Sequence, residues 1–111
     1  MARHHCRLRK FRKTARLSQR ELAILIGLKS QGLLSEIEAG LKQPSFIVAL
    51  ASALVLGEAV SDVFPGVFAR AQRLALSRAQ ELHAQTEPRG VRVDAASELR
   101  QIIERLNQPM T

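Results

Sequence analysis

Between Ser18 and Gly57 the chain is punctuated three times in the same way: a serine, a short apolar run, a glycine. The runs are "QRELAILIG", "QGLLSEIEAG" and "FIVALASALVLG", opened by Ser18, Ser30 and Ser45. A serine hydroxyl accepts from a backbone N–H left over at a helix start, and glycine takes the left-handed conformation that ends a helix. Glu21, three residues after Ser18, adds the reciprocal half of a capping box. Helices this short persist only by packing on one another. The pattern therefore predicts an all-α bundle, with Leu22, Ala23 and Ile26 buried from the first run and Leu34 and Ile37 from the second.

The flanks read as helical too. "RHHCRLRKFRKTARL" places Leu8, Phe11, Ala15 and Leu17 on roughly one face, and "EAVSDVF" is a short turn stopped by Pro65-Gly66. The composition then changes. "VFARAQRLALSRAQELHAQ" predicts a long amphipathic helix, with Val67, Ala71, Leu74, Arg78 and Leu82 along one line and Phe68, Ala75 and Ala79 beside it. His83, alone on that helix, reads as a surface residue. "TEPRG" reads as a loop, and Asp94 as the cap of a last helix carrying Leu99, Ile102, Ile103 and Leu106 on one stripe. Two parts are expected: residues 1–65, and a helical extension over 66–111.

Charge is concentrated at one end. Residues 1–20 hold Arg3, Arg7, Arg9, Lys10, Arg12, Lys13, Arg16 and Arg20 and no acid, whereas the other ninety-one hold nine basic and ten acidic side chains. Such a patch suits a polyanion, because neutralised phosphates release their condensed counterions. A solvated basic tail or an anionic membrane surface is the alternative. No apolar run approaches the ~20 residues of a membrane span, and the basic N-terminus lacks the apolar stretch of a secretory signal. Cys6 is the sole cysteine, which fits a reducing compartment, and a cytoplasmic protein is expected.

Two helices joined by a tight glycine-containing turn within five short helices form a helix-turn-helix. Residues 7–64 resemble the phage-repressor family of such domains, the lambda repressor and Cro-like, xenobiotic-response-element type. The matching pieces are "LSQRELAILIGL", "SQGLLSEIEAG", "LKQPS" and "FIVALASALVLGEAVSDVF". The resemblance implies a five-helix DNA-binding domain followed here by two C-terminal helices. It implies that Ser30, Gln31, Gly32, Ser35 and Glu36 face base edges in the major groove of double-stranded DNA, and that Gln19 and Lys42 approach phosphates. It also implies a structural ion pair between Arg12 and Glu38.

Two departures stand out. The turn "GLKS" is one residue longer than the family pattern, so the third helix is expected to be rotated or displaced. The reading face is poor in positive charge, and Gly32 weakens its helix by roughly 1 kcal/mol relative to Ala. Glu36 either accepts from cytosine N4 or pairs with Lys29 or an N-terminal Arg. Affinity would then come from the basic end, with Arg3, Arg7, Arg9 and Lys29 on phosphates, since phosphate contacts position and base contacts specify.

A further stripe, Ile47, Ala51 and Leu54, occupies positions that the resemblance implies are solvated. With Leu74, Leu82, Leu99, Ile102 and Ile103 it predicts a partner surface. A homodimer is expected, since palindromic half-sites require a two-fold; the alternative is that these faces fold back on one another as an enlarged monomeric core. The expectation is a sequence-specific transcriptional regulator, most simply a repressor. The rivals are an antitoxin whose C-terminal helices hold a toxin, and an adaptor whose DNA-reading helix is vestigial. "HHC" at His4, His5 and Cys6 is too adjacent and too short of ligands for a metal centre. Neither a metal, a cofactor nor a catalytic constellation is expected.

Overall fold

The computed structural model describes residues 4–86 and 93–108. Among them are seven helices and no strand: α1 Leu8–Thr14, α2 Gln19–Leu25, α3 Gln31–Glu38, α4 Phe46–Leu56, α5 Val60–Val63, α6 Pro65–Thr86 and α7 Val93–Asn107. The chain divides into two compact units, Met1–Phe68 and Ala69–Thr111, so the division falls inside α6. Arg3 lies outside the described residues, as does the "TEPRG" loop beyond Thr86.

The serine caps form. Ser18, Ser30 and Ser45 each have extended backbone, and each hydroxyl accepts from the N–H three residues on. Glu21 closes the capping box by accepting from the Ser18 N–H at 2.9 Å. The helix ends repeat one device. Leu28 N–H reaches the Ala23 carbonyl, Leu41 that of Glu36 and Glu58 that of Ala53, each just past a glycine at positive φ, Gly27, Gly40 and Gly57. This is the six-to-one bond of a Schellman ending.

α1 ends in the same way without a glycine. Leu17 N–H donates to the Arg12 carbonyl, and Arg16 takes the left-handed position at φ 61°. A side chain there is strained by roughly 1–2 kcal/mol, and no glycine marks the stop in the sequence. The helix is shorter than the apolar face over residues 3–17 suggests. It begins only at Leu8, because the residues before it bond elsewhere. At the other end α7 begins at Val93, so Asp94 sits inside the helix and not ahead of it.

The core of the first unit joins Leu8 of α1, Leu22, Ala23 and Ile26 of the α2 end, Leu34 and Ile37 of α3, and Val63 and Phe64. Phe64 is its largest fully buried side chain. α4 packs inside out. It buries Ser52 and Ala53, the Ser52 hydroxyl donating back to the Val48 carbonyl at 2.7 Å. Small inward residues let α4 lie close to α1 and α2, while its large residues face outward: Phe46 is 76% exposed, Ile47 69% and Leu54 83%. Ala51, expected on that outward stripe, is half-buried against the core, being turned further round the helix than Ile47 and Leu54. Leu50 stands outward in its place.

In the second unit, Gln72 of α6 donates to the Leu106 carbonyl at 2.7 Å. The first part of α6 thus meets the end of α7, as in an antiparallel helical hairpin. Ala79 and Leu99 are buried, whereas Leu74, Leu82 and Ile102 are exposed. Leu99 therefore leaves the expected partner surface, having been taken up in packing within the chain. Ile103 and His83 are half-buried, and for His83 this replaces the surface reading.

The Ser18 N–H, and then the Ser18 hydroxyl, hold the Glu21 carboxyl below the ordinary carboxylate range. A value depressed by folding means that this stabilisation is present above the ordinary range and is lost as pH falls through the folded value. Protection of the Ser18 amide against hydrogen exchange is expected to fall across that acidic window, and Glu21→Gln to abolish the pH dependence. An amide equally protected at every pH would count against the capping box.

Candidate nucleic-acid interface

At ~100° per residue, Gln31, Ser35, Gly32 and Glu36 span an arc of roughly 140° on α3. All four are exposed, while Leu34 and Ile37 on the opposite side are buried. Ser30 starts the helix, its hydroxyl accepting from Leu33 N–H at 3.1 Å. An outward polar arc, apolar backing and a fixed start are what a helix needs to enter a groove.

The rotation of α3 is set by one buried ion pair. Arg12 of α1 donates through Nε and Nη2 to the Glu38 carboxylate at 2.6 and 3.2 Å, and through Nη1 to the Leu17 carbonyl at 2.9 Å. The side chains are only 9% and 3% exposed. Glu38 Oε1 also accepts from Gln19 Nε2 of α2 at 2.9 Å, and Gln19 Oε1 accepts from Gln31 Nε2 at 3.3 Å. The chain of bonds therefore runs from α1 through the end of α3 and the start of α2 to the first residue of α3. Gln31 keeps its amide oxygen and one N–H outward, an acceptor and a donor side by side. Adenine presents the complementary pair in the major groove.

The expected site residues separate into groups. Gln19 and Gln31 are bonded to each other. Glu36 and Lys42 are joined through the backbone, the Glu36 carbonyl accepting from the N–H groups of both Leu41 and Lys42. Glu36 and Lys29 are both exposed, and among the described residues the ion pair found is Arg12 with Glu38, not Glu36 with Lys29. Arg12 is neutralised there, and so withdrawn from the basic end. Arg9, Lys10, Lys13, Arg16 and Arg20 are exposed. Arg7 is half-buried with its guanidinium 5.6 Å from the centre of the Phe11 ring, and its N–H donates to the Val63 carbonyl at 2.9 Å.

His4 is the participant that sequence reasoning overlooks. Its Nε2 lies 2.8 Å from the Lys42 carbonyl, and its N–H donates to the Gly40 carbonyl at 3.1 Å. The three residues of "HHC" go separate ways: His4 to the loop after α3, His5 outward, and Cys6 half-buried against the core. Burial pushes the Cys6 thiol up from its ordinary value. Among the described residues no group of three His, Cys, Asp or Glu side chains is placed to hold a metal ion, and no helix is long and apolar enough to cross a membrane.

Removing one partner of a buried pair strands a charge, at about 3–5 kcal/mol, whereas replacing both with apolar groups is often near neutral. Glu38→Ala and Arg12→Ala are each expected to lose stability of that order in urea unfolding. The double variant Arg12→Met/Glu38→Leu should recover most of it. Additive losses would show that the pair is not coupled.

Residues 6–63 match a protein family described as a helix-turn-helix domain. Neither the curated proteins nor the solved structures yield a match to the chain.

Proposed function

The chain belongs to the helix-turn-helix domain family, and from that premise we propose that it is a sequence-specific transcriptional regulator that lays α3 in the major groove of DNA. The observation that carries this reading is the outward Gln31, buttressed by Gln19 on an arc shared with Ser35 and Glu36. Gln31 reads adenine, and Glu36, free of a cationic partner among the described residues, accepts from cytosine N4. Ser30 and Gly32 complete the reading face, Gly32 admitting close approach of the backbone. Affinity comes from phosphates, through Lys42, Lys29, Arg9, the remaining Gln19 N–H and the basic N-terminus with Arg3 and Arg7.

The protein acts as a homodimer on a palindromic site, most simply repressing by blocking polymerase. The support lies in α4. It has no charged residue, and Phe46, Ile47, Leu50 and Leu54 stand out from it. In a chain of formal net charge +7, a charge-free face is where two copies meet without repulsion. A second reading, an antitoxin that also regulates its own operon, draws on the exposed Leu74 and Leu82 of α6 and Ile102 of α7. Co-purification of a second protein bound to a fragment carrying α6 and α7 would favour it.

Fluorescence anisotropy against the DNA upstream of its own gene, beside scrambled DNA at two salt concentrations, tests the DNA reading. A preference on the order of 10³ or more is expected, reduced in Glu36→Ala by the 1–3 kcal/mol typical of one base contact, roughly 5- to 150-fold. Equal, weak binding of both DNAs would sink the regulator reading. For the dimer, sedimentation of Ile47→Glu and Leu54→Glu should show monomers where the parent protein is dimeric. Unchanged mass would remove α4 from the interface.

A further inference from the structure

The four residues His4–Arg7 precede α1 and form a strap across the first unit. His4 N–H donates to the Gly40 carbonyl at 3.1 Å, the His5 carbonyl accepts from Gly66 N–H at 3.0 Å, and Arg7 N–H donates to the Val63 carbonyl at 2.9 Å. The His4 side chain adds the contact to the Lys42 carbonyl at 2.8 Å. A carbonyl only accepts, so Nε2 is the ring nitrogen that donates. Among the described residues Nδ1 is buried and has no partner, so the ring is committed to this one bond. The strap is held tightly from the other side too: a Cβ added at Gly66 would run into the His5 backbone.

What the strap holds is the loop after α3. Leu41 and Lys42 N–H groups converge on the Glu36 carbonyl at 2.9 and 3.3 Å. A line of bonds runs from His4 to the Lys42 carbonyl, along Lys42 to its own N–H, and on to the backbone carbonyl of Glu36, whose residue lies on the outward arc of α3. Lys42 itself is exposed.

We propose that His4 is a positioning residue for nucleic-acid contact. The inference rests on the DNA-binding reading and adds to it a residue that touches no DNA. His4 fixes the 40–42 loop before DNA arrives, so that the Lys42 ammonium is presented to a phosphate beside the groove that α3 enters. A lysine on a loop that must be ordered on binding gives up part of its attraction to that ordering. A loop already tied at Gly40 and Lys42 does not.

The test is a double-mutant cycle read through salt. In the full-length protein, His4→Ala is expected to weaken binding to the upstream DNA about tenfold, and to lower the slope of log K against log salt by about one, as loss of one phosphate contact does. Lys42→Ala should do the same, and His4→Ala should add nothing in the Lys42→Ala background. His4→Gln, which keeps an N–H donor, should restore most of the loss. Gly66→Ala, which displaces the strap from its far side, should reproduce it. Without DNA, His4→Ala and Gly66→Ala should each quicken exchange of the Leu41 and Lys42 amides about tenfold while the melting transition stays cooperative. A His4→Ala loss of equal size with and without Lys42, or an unchanged salt slope, overturns the proposal. Parent protein that binds no DNA fells the DNA-binding reading and this proposal together. Parent protein that binds well beside an indifferent His4→Ala overturns the proposal alone.

Discussion

One guanidinium organises the first unit. Arg12 reaches Glu38 with two nitrogens and Leu17 with a third, so it ties α1, the turn that leaves it and the far end of α3. Gln19 takes the remaining approach to the same carboxylate. Apolar packing of Leu34 and Ile37 would seat α3 on the core in several rotations, since hydrophobic burial is not directional. A planar fork on a buried carboxylate allows few. Gln31 inherits its direction from that choice, because Gln19 cannot bond Glu38 and Gln31 at once unless α3 is turned as it is. Gly27 and Leu28 close α2, and Ser30 in extended backbone at φ −148° leads into the next cap.

Much of this is legible in the sequence, and the reason is local chemistry. Ser18, Ser30 and Ser45 announce helix starts because a hydroxyl three residues from an N–H has one obvious use. Gly27, Gly40 and Gly57 announce ends because other residues are strained there. The seven helices and the helix-turn-helix follow from these signals and from the apolar spacing. Arg16 is illegible for the same reason: it performs a glycine's task with a side chain, compelled by Arg12 and Leu17 across the turn. The strap is illegible because its bonds are non-local. Nothing in "HHC" indicates Gly40, Lys42 or Gly66 as partners, and adjacent histidines draw attention to metal chemistry first. Ala51 shows a subtler limit. Spacing alone groups it with Ile47 and Leu54, but a residue at the edge of an arc goes to whichever side the neighbouring helices fill.

The basic end is also less uniform than a count of charges implies. Arg12 is spent inside the fold, and Arg7 lies on the Phe11 ring. Arg9, Lys10, Lys13, Arg16 and Arg20 remain in water. The long-range attraction of such a surface comes from the solvated charges, whereas the buried one contributes geometry. The same residue type thus serves two physical ends within ten positions of the chain.

The close pairing of His5 with Gly66 and of Arg7 with Val63 has a consequence for how the protein is made. Residues 5 and 7 are synthesised before their bonding partners at 66 and 63, which emerge about sixty residues later. Domains generally form as they are synthesised, from the N-terminus onward, but here the strap meets Gly40 and Lys42 early and is fastened on its other side only when α5 and the start of α6 are out. A nascent chain stopped before Val63 would carry its serine caps and α3, with the strap tied at the 40–42 loop and still unfastened at its other end.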